Sequence, residues 1–303
     1  WYDPSLEPRE PDLPLGRAYH GHSQNISVRS SWDPRFATCV VYGKGGHGAE
    51  GHGNHDAGQV CIDAYGDRLI TDPGSPPGYP LDFFGKNRYR YYNASALGHN
   101  ILTFDDKEMR RERADQARIT DSLFEDERGG WWQIDLTDLY DGVTSVRRTV
   151  CYLAPNTTVV FDEATLPSAR TISLRWHTVT DPIWSADGSF TVEQERGALD
   201  ALVTSLSGAN LTCSLEHHEY KNPYNRFRLG DVFTQVNEPY LDFRESTDTV
   251  SILSLFRIRS VSGAPQPWQP TDDGWTIKDT SVTCSTSLLS IQSGEGHSWE
   301  IQL

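Results

Sequence analysis

Short runs of β-branched and aromatic residues, separated by Gly, Asp, Asn and Pro, set the pattern of this chain. Such runs occupy residues 36–43, 59–65, 68–72, 148–154, 157–163, 171–178, 201–207, 249–258, 274–279 and 298–303. Several alternate apolar and polar residues, the mark of strands with one buried face. Two hairpins follow from their turn residues: Gly66-Asp67 joins 59–65 to 68–72, and Ala154-Pro155-Asn156 joins 148–153 to 157–162. The helical candidate, 105–118, is charged all round and reads as an exposed loop or a short surface helix. Residues 1–17, rich in Pro and acid without periodicity, read as an extended lead-in, and 260–273 as a loop after which strands resume. No internal repeat or linker divides the rest. The expected fold is all-β: a large antiparallel β-sandwich (supersandwich) over 18–303, with few or no helices.

Composition narrows the classes of function. The 303 residues carry 27 Lys+Arg against 42 Asp+Glu, a net charge of −15. That sign argues against a nucleic-acid binder, which needs a basic footprint, and against an anionic membrane surface. No apolar run nears the roughly 20 residues of a membrane helix. The 37% hydrophobic content is low, but 9 Trp, 13 Tyr and 11 Phe supply bulky core material. The 5 cysteines include no CxxC pair, and Cys39, Cys61 and Cys151 lie in strand-like runs. They read as small core residues, with two disulfides the upper limit. Trp1 opens the chain without a basic-then-apolar leader, so the start reads as a processed or truncated end with an upstream part.

Candidate chemistry concentrates between Gly43 and Asn100. A glycine-rich loop carries His47, His52, His55 and Asp56; after the hairpin come Asp72-Pro73-Gly74, Tyr79, the aromatic-basic run 86–93 and His99-Asn100. Glycine lets backbone approach a ligand closely. A His and Asp set drawn from different strands suits zinc or another divalent metal. Asp72 reads equally well as a turn cap before Pro73. His177 reads as a strand residue beside Trp176, and His20 and His22 share one face of a strand or loop.

In this order the residues resemble the β-sandwich domain of the heparinase II/III-like polysaccharide lyases. The resemblance rests on Arg29-Ser30-Ser31-Trp32-Asp33-Pro34, then His52 with His55-Asp56-Ala57-Gly58, then Asp72-Pro73-Gly74, Tyr79, Tyr89–Tyr92 and His99-Asn100. Residues 147–163 and 175–178 look like that domain's later strands. The resemblance implies β-elimination on a uronic-acid polysaccharide or oligosaccharide, at a secreted or periplasmic location. It gives His52 the task of neutralising the uronate or moving a proton, and Tyr89, with Tyr79 second, the role of general base or acid. Arg88, Arg90 and Asn54 would bind substrate, with Lys86, Arg110, Arg111 and Arg113 extending a positive cleft in an acidic body. His55, Asp72 and His99 would hold zinc.

Two departures qualify the match. The family pattern is His-x-His-x-Asp, so Asn54 stands in the register of the metal-binding histidine and His55 falls one place late. The family also carries a helical toroid before the sandwich, which here would come from an upstream region or a separate chain. A non-catalytic carbohydrate-binding sandwich, with Trp131-Trp132 stacking on sugars, is the alternative. A metal-dependent hydrolase on a cupin-like sandwich is a third reading.

Overall fold

The computed structural model describes residue 5 and residues 11–33, 39–47, 52–73, 82–111, 116–218 and 238–303. Strands β1 (Gly16–Tyr19), β2 (Asn25–Arg29), β3 (Cys39–Lys44), β4 (Val60–Ala64) and β5 (Asp67–Ile70) follow one another as a five-stranded antiparallel meander. Burial alternates along β3 and β4, as their period-two sequences require. Strand β1 begins two residues inside the segment expected to be a lead-in. The β4–β5 turn is Tyr65-Gly66, one residue earlier than expected. Both of its residues have positive φ, 54° and 86°, the geometry that lets a two-residue turn follow strand twist.

The central sheet is built from β6 (Leu102–Phe104), β7 (Arg118–Glu125), β8 (Gly129–Asp135), β9 (Ser145–Leu153), β10 (Thr157–His177), β11 (Ile183–Trp184), β12 (Ser189–Glu193), β13 (Gly197–Ser205), β14 (Thr212–His218) and β15 (Glu238–Ser260). Its order is β11-β12-β13-β15-β10-β9-β8-β7, with β14 paired to β15 and β6 to β10. The runs 157–163 and 171–178 are one strand; a register shift between Thr165 and Arg170 absorbs Pro167. The turn after β9 falls at 154–156, as expected.

A third meander, β16 (Gln269–Pro270), β17 (Gly274–Ile277), β18 (Thr280–Cys284), β19 (Leu288–Gln292) and β20 (Ser298–Gln302), covers the other face of the central sheet. Two cores result. Val150, Val160, Ile172 and Phe256 pack under the first sheet, whereas Cys151, Val159, Phe161 and Leu253 pack under the third. Burial on both faces explains why β9 and β10 read as continuous apolar runs.

The architecture is thus an all-β, three-layer sandwich, with no α-helix among the described residues. The described part of the charged run, 105–111 and 116–118, contains no helix. All five cysteines are free thiols. Trp132 is fully buried and Trp131 packs partly against the third sheet. Trp131-Trp132 is therefore not the exposed stacking pair that the binding-module reading expected. Among the described residues no helix is long and apolar enough to cross a membrane.

Candidate active site

The floor of the site is a buried polar network rooted in the central sheet. Arg148 on β9 faces the first sheet, and its Nε and Nη2 donate to Asp162 of β10 at 2.7 and 2.9 Å. Its Nη1 donates to the carbonyls of Gly58 at 2.7 Å and Asn100 at 2.5 Å. A buried guanidinium is tolerable only with acceptors of this kind around it. Asn100 uses its whole side chain. Nδ2 donates to the carbonyls of Val60 and Thr71, each at 2.9 Å, while Oδ1 accepts from the amide and Nδ1 of His177 at 2.8 and 2.9 Å. With Nδ1 donating, His177 Nε2 accepts from the Tyr92 hydroxyl at 2.7 Å. Burial, aided by the charges of Arg175 and His99, holds the His177 pKa far below the ordinary histidine range.

Above this floor the histidine loop is clamped by Arg88, which lies in a run of single 3-10 turns (Arg88–Arg90, Tyr92–Ala94, Ala96–Gly98). Its Nε donates to Gly53 O at 2.9 Å, and its Nη2 to His52 O at 3.0 Å and Asn54 Oδ1 at 2.8 Å. The His52 ring remains exposed, resting on exposed Phe84 with centroids 4.7 Å apart. His55 turns inward instead. Its ring stacks on Tyr89 at 3.6 Å, and Nδ1 donates to Glu108 Oε2 at 2.7 Å. Glu108 also accepts from Ser95 Oγ and from the Ala96 amide. Burial would raise the Glu108 pKa, but these three donors outweigh it and hold it below the usual carboxylate range. Burial raises the Tyr89 pKa despite the nearby Arg111 and Arg88, so the phenol keeps its proton. The Arg111 guanidinium stands 5.0 Å from the centroid of that ring.

A family model, Heparinase II/III-like, C-terminal, matches residues 36–252, well over half of the chain. The chain belongs to this family. Among solved structures, the heparinase III BT4657 gene product matches 97% of the chain with a TM-score of 0.71 and 14% identity. The heparan sulfate lyase HepC from Pedobacter heparinus matches 97% with a TM-score of 0.70 and 16% identity. A further heparinase III structure matches 92% with a TM-score of 0.63 and 15% identity. At these identities the likeness is one of fold. The matches cover 42%, 43% and 41% of the solved chains, so this chain spans less than half of each. Nothing among the curated proteins matches the sequence.

Within this heparinase II/III-like C-terminal domain, the residues singled out in the sequence fall into three groups. His52 and Arg90 are exposed. Arg88, expected to meet a substrate carboxylate, is instead buried beneath the loop, and Asn54 is its partner. Tyr79, Gly74, Arg113 and Pro34 lie outside the described residues. Of the three expected zinc ligands, Asp72 and His99 adjoin, with Oδ2 and Nδ1 3.0 Å apart, whereas His55 is engaged by Glu108. Burial opposes charge on His99, yet the Asp72 carboxylate outweighs it and raises the imidazole pKa. The Nε2 atoms of His55 and His99 are buried without a hydrogen-bond partner among the described residues. Such spare nitrogens suit a metal singly. However, no group of three or more His, Cys, Asp or Glu among the described residues is arranged to hold one. The expected trio is therefore not drawn together as a ligand set among the described residues.

Glu108 escaped the sequence reading because it sits in a run of charges that looks solvated. Met109 beside it is the chain's one methionine and is buried, the single local sign that this segment touches the body. A cleft of about 910 Å³, lined by Gln133, Arg147, Glu163, Thr249 and Ser285 among others, lies elsewhere and includes none of these site residues.

Proposed function

We propose that this chain is the sandwich part of a lyase that breaks uronic-acid glycans by β-elimination. In that reaction the C5–H and C4–O4 bonds break, a C4=C5 double bond forms, and the departing O4 gains a proton. The observation that carries the reading is the exposed His52 imidazole on a loop fixed from beneath by Arg88. An imidazole changes charge near neutral pH and is suited to take the C5 proton. Tyr89, whose phenol burial keeps protonated, is suited to give one to O4. Arg90 and Arg111 would pair with the uronate carboxylate, lowering the cost of the carbanion-like transition state. A helical domain, on the same or a separate chain, would supply the opposite wall of the cleft. Polyuronates lie outside the cell or enter the periplasm, so the protein would act there.

The test is direct, since unsaturated uronates absorb in the near ultraviolet. Incubation of the chain, joined by the helical domain that faces it, with heparan sulfate, alginate and polyglucuronate should generate that absorbance on at least one of them. His52→Ala and Tyr89→Phe should each slow it roughly 10²- to 10⁴-fold, the usual value of a positioned acid or base, without shifting the melting temperature. Glycan binding without new absorbance on any uronate would sink the lyase reading and leave a binding module.

A further inference from the structure

Where the first sheet meets the histidine loop, a cluster of charges stands apart from the proposed elimination chemistry. Lys44 ends β3, and its Nζ lies 2.6 Å from Asp56 Oδ1, with the lysine side chain 25% and the aspartate 11% exposed. Backbone bonds fix the pair in place: Lys44 N donates to Gln59 O at 3.2 Å, and Gly58 N donates to Lys44 O at 2.7 Å. Beside it, Asp72 Oδ2 accepts from His99 Nδ1 at 3.0 Å and from Gln59 Nε2 at 3.2 Å. Asp56 and Lys44 both act electrostatically on the His99 ring, so the two pairs form one cluster.

A divalent cation on Asp72 and His99 would need further donors, and none is grouped with them among the described residues. Asn54 gives its Oδ1 to Arg88 and Asp56 holds Lys44, and His55, its Nδ1 on Glu108, forms no group of three donors with Asp72 and His99 among those residues. We infer that the Lys44 ammonium is the built-in cation of this cluster, standing in for the divalent metal that a histidine in the Asn54 register would help to bind. The Asp56 carboxylate, 11% exposed, needs a positive charge beside it. A lysine on β3 supplies it covalently, and Gln59 adds a neutral donor to Asp72. Lys44 is thus a positioning residue, acting on the loop through Asp56.

The purified chain, with and without prior EDTA treatment, would be assayed for bound zinc, calcium and manganese by mass spectrometry and melted with EDTA or with added zinc. The expected result is far less than one metal per chain and a melting curve that neither EDTA nor zinc moves. Lys44→Ala should melt lower, with Lys44→Arg restoring most of the loss. The double variant Lys44→Ala, Asn54→His should gain a melting temperature that rises with zinc, as binding to the folded state alone requires. One metal per chain in the wild type, or a wild-type curve lowered by EDTA, would overturn the inference. Should the Lys44 variants fail to fold, the wild-type metal content and melting decide alone. Neither readout involves glycan turnover, so a chain inert on every uronate would count against the proposed function and not against Lys44.

Discussion

At the residue scale, the histidines are sorted by what holds Nδ1. His55 is held by Glu108, His99 by Asp72 and His177 by Asn100, partners 53, 27 and 77 residues away. The sequence displays the histidines and the closing His-Asn pair. It does not display which carboxylate or amide each will meet, because that depends on the packing of distant strands. The same distance hid the inward turn of Arg88, whose aromatic-basic surroundings look like an exposed strand. His177 carries a testable pH signature. Unfolded, it titrates near about 6.5, and folded far lower, so the unfolded state binds the proton first. Its contribution is full above about pH 7 and declines as the pH falls through about 6.5. Melting of wild type and His177→Gln across that range should show the variant weaker at neutral pH, with a shallower fall on the acid side. Parallel curves would refute the assignment.

At the element scale, β3, β4 and β5 of the first sheet and both hairpins were legible, because their strands alternate and turn on suitable residues. Strand β1 instead begins in the segment read as a lead-in, and β2 lies in none of the strand runs. The central sheet was less so. Strands covered on both faces lose their alternation, and Pro167 divides β10 in sequence while a bulge keeps it whole in space. Neighbouring positions on one strand therefore serve opposite layers. Phe161 faces the third sheet, whereas Val160 and Asp162 face the first, where Asp162 holds Arg148. Phe161→Ala should cost about 3–5 kcal/mol by urea unfolding, as expected for a buried aromatic truncation. It should leave any uronate cleavage of the still-folded chain unchanged. A loss of cleavage equal to that of His52→Ala, without unfolding, would show that the two layers are coupled.

At the scale of the whole molecule, the net charge of −15 excludes a basic footprint without excluding an anionic substrate, since local fields decide capture. Exposed Lys86, Arg90 and Arg111 sit among the candidate residues while most of the acid is spread elsewhere. Mechanically, the site lies across a junction between layers. Ile70 bridges to Thr178, the Thr71 amide donates to His177 O at 3.0 Å, and Arg148 draws the carbonyls of Gly58 and Asn100 onto β9. Backbone amides bonded in this way open only when the layers part. In deuterium exchange, peptides covering 70–72 and 171–178 should take up label as slowly as the interior of β9, on the timescale of global unfolding. Fast uptake there would mean that the floor breathes on its own. If it does not, the sandwich is a rigid platform, and any movement that admits the proposed glycan would belong to whatever closes over it.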